Sequence, residues 1–134
     1  MTNELNRVQI DEDVTYKLQN LGRGTGLTPN YIARIALTYS LGEQQPPSME
    51  EYDTAGKEFN RYTLLGENDS LYIALVKKRM LNEGYDPESQ LEDYFLAHLN
   101  RGIETLSGRI SDLTDLYELI PGEIKTDSTT PSEV

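Results

Sequence analysis

Within its first forty residues the sequence places two helix-start signals with one glycine-rich break between them, and that order restricts the fold more than anything else in the chain. Asp11 precedes a first turn carrying Glu12 and Asp13, which suit the positive end of a helix dipole. Val14, Leu18 and Leu21 follow at i, i+4, i+7. The spacing predicts a helix that stops near Gly22. Residues 22–26 read GRGTG, a permissive turn, and Leu27-Thr28-Pro29-Asn30 supplies a staple residue, an N-cap and a proline at the first helical position. A second helix is expected to about Leu41, with Ile32, Ile35, Ala36 and Tyr39 on its inner face. Ahead of both, Asn6, Val8 and Ile10 alternate with Leu5, Arg7 and Gln9 as in a short half-buried strand. Strand, capped helix, glycine turn and capped helix is the order of a ribbon-helix-helix unit. There, two chains pair their strands and direct outward side chains, here Arg7 and Gln9, into a DNA groove. The N-terminus of the second helix, Thr28 to Asn30, would offer free N–H groups to a backbone phosphate. Any helical hairpin with a leading strand shares this pattern.

Residues 42–56, with two prolines, two glycines and four acids, read as a solvated connector. KEFNRYTLLGEND is mixed in period, and Phe59, Tyr62 and Leu64 are placed to anchor an irregular or extended segment. Asn68 or Asp69 then caps a helix with Tyr72, Leu75, Val76, Arg79 and Met80 along one side, closed by Gly84. Asp86-Pro87 repeats the cap-plus-proline signal ahead of a stripe of Leu91, Phe95, Leu99, Gly102, Ile103 and Leu106. Ile110, Leu113, Leu116, Tyr117 and Ile120 continue helical spacing past a weak point at Ser107-Gly108. The expectation is one mainly α domain over residues 1–120, a small helical domain with a ribbon-helix-helix-like N-terminal part plus further helices. Residues 121–134 lack any stripe and are expected to be a disordered acidic tail.

Chemistry is narrowed by what the 134 residues contain. There is no cysteine, so disulfides, thiolate metal sites and a persulfide-carrying side chain are excluded, and the lone histidine, His98, is too little imidazole for an ordinary zinc site. His98 lies beside an apolar stripe with no evident partner and reads as structural. No run approaches the roughly 18 apolar residues of a membrane span, and MTNELNRVQI lacks the basic flank and apolar core of a secretory signal, so a cytoplasmic protein is expected.

Twelve Lys and Arg against twenty-three Asp and Glu give a net charge of −11, which argues against indiscriminate nucleic-acid binding. The distribution qualifies this. Residues 14–42 hold Lys17, Arg23 and Arg34 and no acid, and the interval between Asp69 and Glu83 holds Lys77, Lys78 and Arg79. A carboxylate surplus without cysteine also suits a salt-rich setting, where the Debye length shrinks to about 3 Å. The glycines at 22, 24 and 26 fail the dinucleotide fingerprint, because position 27 is Leu27 and the loop follows a helix. Carboxylate neighbours such as Glu50/Glu51 and Glu92/Asp93 arise from composition alone in so acidic a chain, and consecutive positions do not share a helix face.

Three segments, TGLTPNYIARIALTYSL (25–41), GKEFNRYTLLGENDSLYIALVK (56–77) and AHLNRGI (97–103), resemble the DndE family of DNA phosphorothioation proteins, in that family's order and across most of residues 7–106. The resemblance implies a small helical protein of Met-repressor-like topology, acting with the restriction-modification machinery that replaces a non-bridging phosphate oxygen of DNA by sulfur. It implies a homotetramer, association with the sulfurtransferase and ATPase subunits, binding of nicked double-stranded DNA, and no catalysis of its own. On this reading no cofactor or metal is needed. The candidate DNA contacts are Arg7, Gln9, Lys17, Arg23, Arg34, Lys57, Arg61, Lys77, Lys78 and Arg79, and Gly22 and Gly24 are candidates for close approach at an oligomer interface. The alternatives are a ribbon-helix-helix transcription regulator, in which the region from Phe59 to Ile120 has no evident role, and a small nuclease, which would need converging carboxylates and a divalent metal.

Overall fold

The computed structural model describes residues 5–119. In chain order it contains β1 (Arg7–Gln9), α1 (Glu12–Thr25), α2 (Pro29–Leu41), β2 (Glu58–Asn60), α3 (Arg61–Leu65), a single 3-10 turn (Gly66–Asn68), α4 (Asp69–Glu83), α5 (Leu91–Arg109) and α6 (Leu113–Glu118). The expected tail and Ile120 lie outside the described residues.

Helix α5 is the hub. It is buried on nearly every side from Tyr94 to Asn100 and again at Gly102, Ile103 and Leu106, as expected of a helix that other elements surround. Helix α2 crosses it at closest range where Gly102 meets Ala36. A Cβ added to Gly102 would lie 2.1 Å from the Ala36 carbonyl oxygen, so only glycine permits that approach. The crossing explains why the inner face of α2 is rotated from the one its spacing suggests. Ala33, Ala36, Leu37 and Ser40 are buried with Ile32, whereas Ile35 and Tyr39 are only half-buried. Small residues go where the backbones are closest.

Asp11 caps α1 as its sequence position demands, its Oδ1 accepting from the N–H groups of Asp13 at 2.7 Å and Val14 at 3.2 Å. The helix does not stop at Gly22. It continues through the GRGT run to Thr25, whose hydroxyl donates to the Leu21 carbonyl at 2.7 Å, and ends at Gly26 in the left-handed conformation. Glycine at 24 has a packing reason, since a Cβ there would sit 1.8 Å from the Ser111 carbonyl oxygen of the same chain. Gly22 is less confined, its nearest atom being the Leu27 carbonyl oxygen at 3.5 Å from such a Cβ.

The irregular segment after the connector contains the second strand. β2 pairs antiparallel with β1 in the register Arg7 to Asn60, Val8 to Phe59 and Gln9 to Glu58. The strand that the two-chain ribbon reading would offer to a partner is therefore paired within its own chain, burying Val8 against Phe59. The connector has no helix or strand of its own, yet it is fastened: the Asp53 N–H donates to Asp11 Oδ2 at 2.9 Å, the Glu12 N–H to Asp53 Oδ1 at 3.0 Å, and the Gly56 N–H to the Ile10 carbonyl at 2.7 Å.

Two further boundaries depart from their spacing. Helix α4 buries Ile73, Val76 and Met80 and leaves Leu75 exposed. Asp86 holds a turn instead of starting α5, its carboxylate accepting from the Glu88 N–H and the Ser89 hydroxyl, and the helix begins at Leu91.

Candidate nucleic-acid interface

The cations sort into two sets. Most arginines are bound to the chain's own oxygens. Arg34 donates through Nε to the Leu64 carbonyl at 2.7 Å and through Nη2 to the Thr63 carbonyl at 3.3 Å, fastening α2 to α3. Arg61 makes a two-point bridge to Asp69 at 2.7 and 2.8 Å and also reaches the Leu5 carbonyl. Arg79 pairs with Glu83 at 2.6 Å and donates to the Leu41 carbonyl at 2.7 Å and the Gln44 carbonyl at 3.0 Å. Arg101, which sequence reasoning did not single out, donates to the Ser40 hydroxyl, the Ser40 carbonyl and the Gln45 carbonyl at 2.9, 2.9 and 2.6 Å. Arg79 and Arg101 thus cap the C-terminal carbonyls of α2 from two other helices. The fork of donors on a guanidinium suits this, and a lysine could not reproduce it.

The same arginines enclose His98. Its Nδ1 lies 2.8 Å from the Ser40 hydroxyl, while Nε2 has no hydrogen-bond partner among the described residues. Burial first, then the positive charges of Arg101 and Arg79, push its pKa down to about 3, so the ring is neutral at physiological pH. It packs edge-on against Tyr94 at 4.7 Å and is a structural residue of the core.

The lysines differ. Lys77 and Lys78 are exposed on α4 and have no carboxylate partner among the described residues. Lys57 is exposed just before β2, its ammonium 5.5 Å from the Phe59 ring. A hollow of about 240 Å³ joins Lys57 and Asn60 to Pro29 and Asn30 at the start of α2. Thr28 holds the extended N-cap geometry there without a side-chain bond to the helix, and the first turn carries no acid. Among the other candidates, Arg7 is exposed and paired with Glu58 at 3.2 Å, Gln9 donates to the Gly56 carbonyl, Lys17 is bridged to Glu104 at 3.1 Å, and Arg23 donates to Asn20 Oδ1 at 2.9 Å with no carboxylate partner among the described residues.

A mostly apolar groove of about 340 Å³ between α2, α4, α5 and α6 is lined by Ile35, Tyr39, Tyr72, Leu106, Leu116 and Leu119 together with Thr38 and Arg34, whose guanidinium is already bonded to the Leu64 and Thr63 carbonyls. Among the described residues no three His, Asp or Glu side chains form a metal-binding group, and no helix is long and apolar enough to cross a membrane. Glu50, Glu51, Glu92 and Asp93 all face solvent.

Comparison with known proteins gives a consistent result. The family model for the DNA sulphur modification protein DndE matches residues 7–112. The fold is similar to the crystal structure of DndE from Escherichia coli B7A, described as involved in DNA phosphorothioation modification, at 25% identity and a TM-score of 0.66, covering 78% of this chain and 99% of that one. It is also similar to the crystal structure of a double glycine-to-lysine mutant of DndE, at 25% identity, a TM-score of 0.62 and the same coverage. No curated protein sequence matches the chain.

Proposed function

The chain belongs to the DndE family of DNA sulphur modification proteins, and from that premise we propose that it is a non-catalytic subunit of the phosphorothioation machinery that holds nicked double-stranded DNA. The sulfurtransferase and ATPase subunits act on the DNA it holds, in the cytoplasm. The chain has no cysteine, so the sulfur travels on another subunit.

The observation that carries the DNA reading is the division of cations. With Arg34, Arg61 and Arg79 spent on internal carbonyls and carboxylates, Lys57, Lys77 and Lys78, and the exposed Arg23, are left to meet phosphates. Homotetramer formation brings several such sets together as a local basic surface, although every chain carries −11. Gly22 is the better probe of assembly. A lysine there has room within the chain, whereas a lysine at Gly24 displaces the chain's own Ser111.

The test is fluorescence anisotropy with nicked and intact duplexes across a salt titration. Nicked duplex is expected to bind more tightly, and replacing Lys77 and Lys78 by Glu is expected to weaken binding and to lower the salt slope by roughly one per lost phosphate contact. Lys125, outside the described residues, is the control. Equal affinity for both duplexes removes nick recognition, and an unchanged slope in the α4 variants removes these lysines from the interface.

A further inference from the structure

Three tyrosines, Tyr16, Tyr31 and Tyr62, expose 57%, 56% and 52% of their surface, although a tyrosine ring ordinarily gains by burial. Two of the three are backed by arginine. The Arg34 guanidinium carbon lies 5.3 Å from the centroid of the Tyr31 ring, and that of Arg61 lies 4.9 Å from the centroid of Tyr62. Neither arginine is free to swing away. Arg34 is tied to the Leu64 and Thr63 carbonyls, and Arg61 to both oxygens of Asp69. Each ring is therefore held against a fixed cation, with more than half of the residue still accessible. Among the described residues no arginine or lysine lies over Tyr16.

Arg34 also brings the two rings' elements together. It sits one turn after Tyr31 on α2 and bonds to the carbonyl of Thr63, the residue next to Tyr62 on α3. The hollow formed by their sequence neighbours Asn30 and Thr63 is also lined by Lys57, Asn60 and Glu58, whose carboxylate is paired with Arg7 at 3.2 Å, and the first turn of α2 carries no acid. A flat, electron-rich ring fixed by a cation, with a lysine nearby and the one carboxylate of the hollow, Glu58, already paired with Arg7, suits a planar π system that carries negative charge nearby.

We propose that Tyr31 and Tyr62 form a stacking platform for nucleobases exposed where a DNA strand is interrupted. The proposal rests on the nicked-DNA reading above and deepens it. An intact duplex presents no free base face, whereas a strand end at a nick can unstack and lay its terminal base on an aromatic ring. Stacking tolerates any base, since every base has a π face, and it depends less on salt than phosphate contacts do. An acidic chain gains most from such a term.

The test uses the full-length chain and three DNAs: nicked duplex, intact duplex, and nicked duplex carrying 2-aminopurine at the strand end. Tyr31→Ala and Tyr62→Ala are expected to weaken binding to nicked duplex by roughly fivefold to a hundredfold each, the range of one base–aromatic stack, and to leave intact duplex unchanged. Tyr31→Phe and Tyr62→Phe keep the ring and are expected to keep the affinity. Quenching of the 2-aminopurine by the wild-type chain is expected to be lost in the alanine variants. Tyr16→Ala, removing an equally exposed ring without an arginine, is expected to change nothing. Far-ultraviolet circular dichroism and light scattering establish that fold and assembly are intact. If the wild type prefers nicked duplex and the alanine variants do too, the platform is overturned and nick binding stands. Binding of neither duplex by the wild type overturns both. Equal loss in Tyr16→Ala, or a changed assembly mass in Tyr31→Ala or Tyr62→Ala, overturns the platform in favour of a general surface effect or a subunit contact.

Discussion

Replacing Gly102 by alanine sets two helix effects against each other, and the structure decides which wins. In a helix interior alanine is favoured over glycine by about 1 kcal/mol. Against that, the new Cβ would lie 2.1 Å from the Ala36 carbonyl oxygen and 2.6 Å from its carbonyl carbon. Restoring ordinary contact needs about 1.3 Å of separation between α2 and α5, and both atoms are backbone, so no side-chain rotation relieves it. Moving these helices apart loosens the packing of Ile32, Ala33, Leu37, Leu99 and Ile103, all buried. Overpacking of this kind destabilises by roughly 3 kcal/mol, leaving a net loss of about 2 kcal/mol and a fall in Tm of about 8 °C. Gly108 lies on the same helix with nothing within 4 Å of an added Cβ, so Gly108→Ala gives the propensity effect alone, a gain of up to about 1 kcal/mol. Thermal and urea unfolding followed by circular dichroism measure both. If Gly102→Ala stabilises the protein as Gly108→Ala does, the close crossing of α2 and α5 is wrong.

Other expectations follow from the arginines and the core. Arg79→Lys loses the fork to the Leu41 and Gln44 carbonyls and is expected to lower stability by about 2 kcal/mol, while DNA affinity at matched folded fraction stays unchanged; a loss of affinity without loss of stability would return Arg79 to the interface. His98, held neutral down to about pH 3 in the folded chain but protonated near pH 6.5 when unfolded, contributes stability that is complete above about pH 6.5 and lost as the pH falls toward 3. Between pH 6.5 and 5 this amounts to about 2 kcal/mol, and urea unfolding of His98→Gln is expected to show a correspondingly weaker pH dependence; an identical profile contradicts the assignment. Asp11→Ala removes the cap of α1 and the anchor of Asp53, at a cost of about 1 to 2 kcal/mol read by the same unfolding assay, and wild-type stability here means the assignment of the cap is mistaken. Burial alone would raise the pKa of the Asp11 carboxyl, but hydrogen bonds from Asp53, Val14 and Asp13 more than offset it and hold it below the usual value, so its contribution fades only in acid, as the pH falls below about 4.

Local signals were readable where one residue's chemistry sufficed. Asp11 as a cap, Pro29 at the first position of α2, Gly84 at the close of α4 and the stripe from Leu91 to Leu106 all stand in the sequence as they do in the fold. Features set by a distant partner were not. Nothing near Phe59 indicates that it pairs with Val8, and the inner face of α2 turns on a glycine 66 positions away. Asp86 has the chemistry of a helix cap and uses it on a turn, because the apolar stripe that α5 must bury begins only at Leu91. The candidate interface divided in the same way. The acid-free intervals marked the exposed Lys77 and Lys78, but whether an arginine meets solvent or a carbonyl depends on which loop end lies beside it, and so Arg34, Arg61 and Arg79 looked alike with Lys57. Tyr31 gave no signal, and Tyr62, read as an anchor of an irregular segment, lies on α3 with 52% of its surface exposed, because an aromatic residue in a mixed pattern reads as core.

The capping of α2 by arginines from later helices also bears on how the chain is made. Its C-terminal carbonyl at Ser40, which already accepts from the Glu43 N–H, receives a second donor from Arg101, 61 residues further on, and Ala36 receives its covering at Gly102. At roughly 5 to 20 residues per second, a ribosome takes on the order of 3 to 12 s to supply them. Through that interval the nascent N-terminal half lacks the α5 cover of Ala33, Ala36 and Leu37 and the arginine donors at its helix end. The apolar face of the second helix therefore gains its main cover only once the fifth helix has been made.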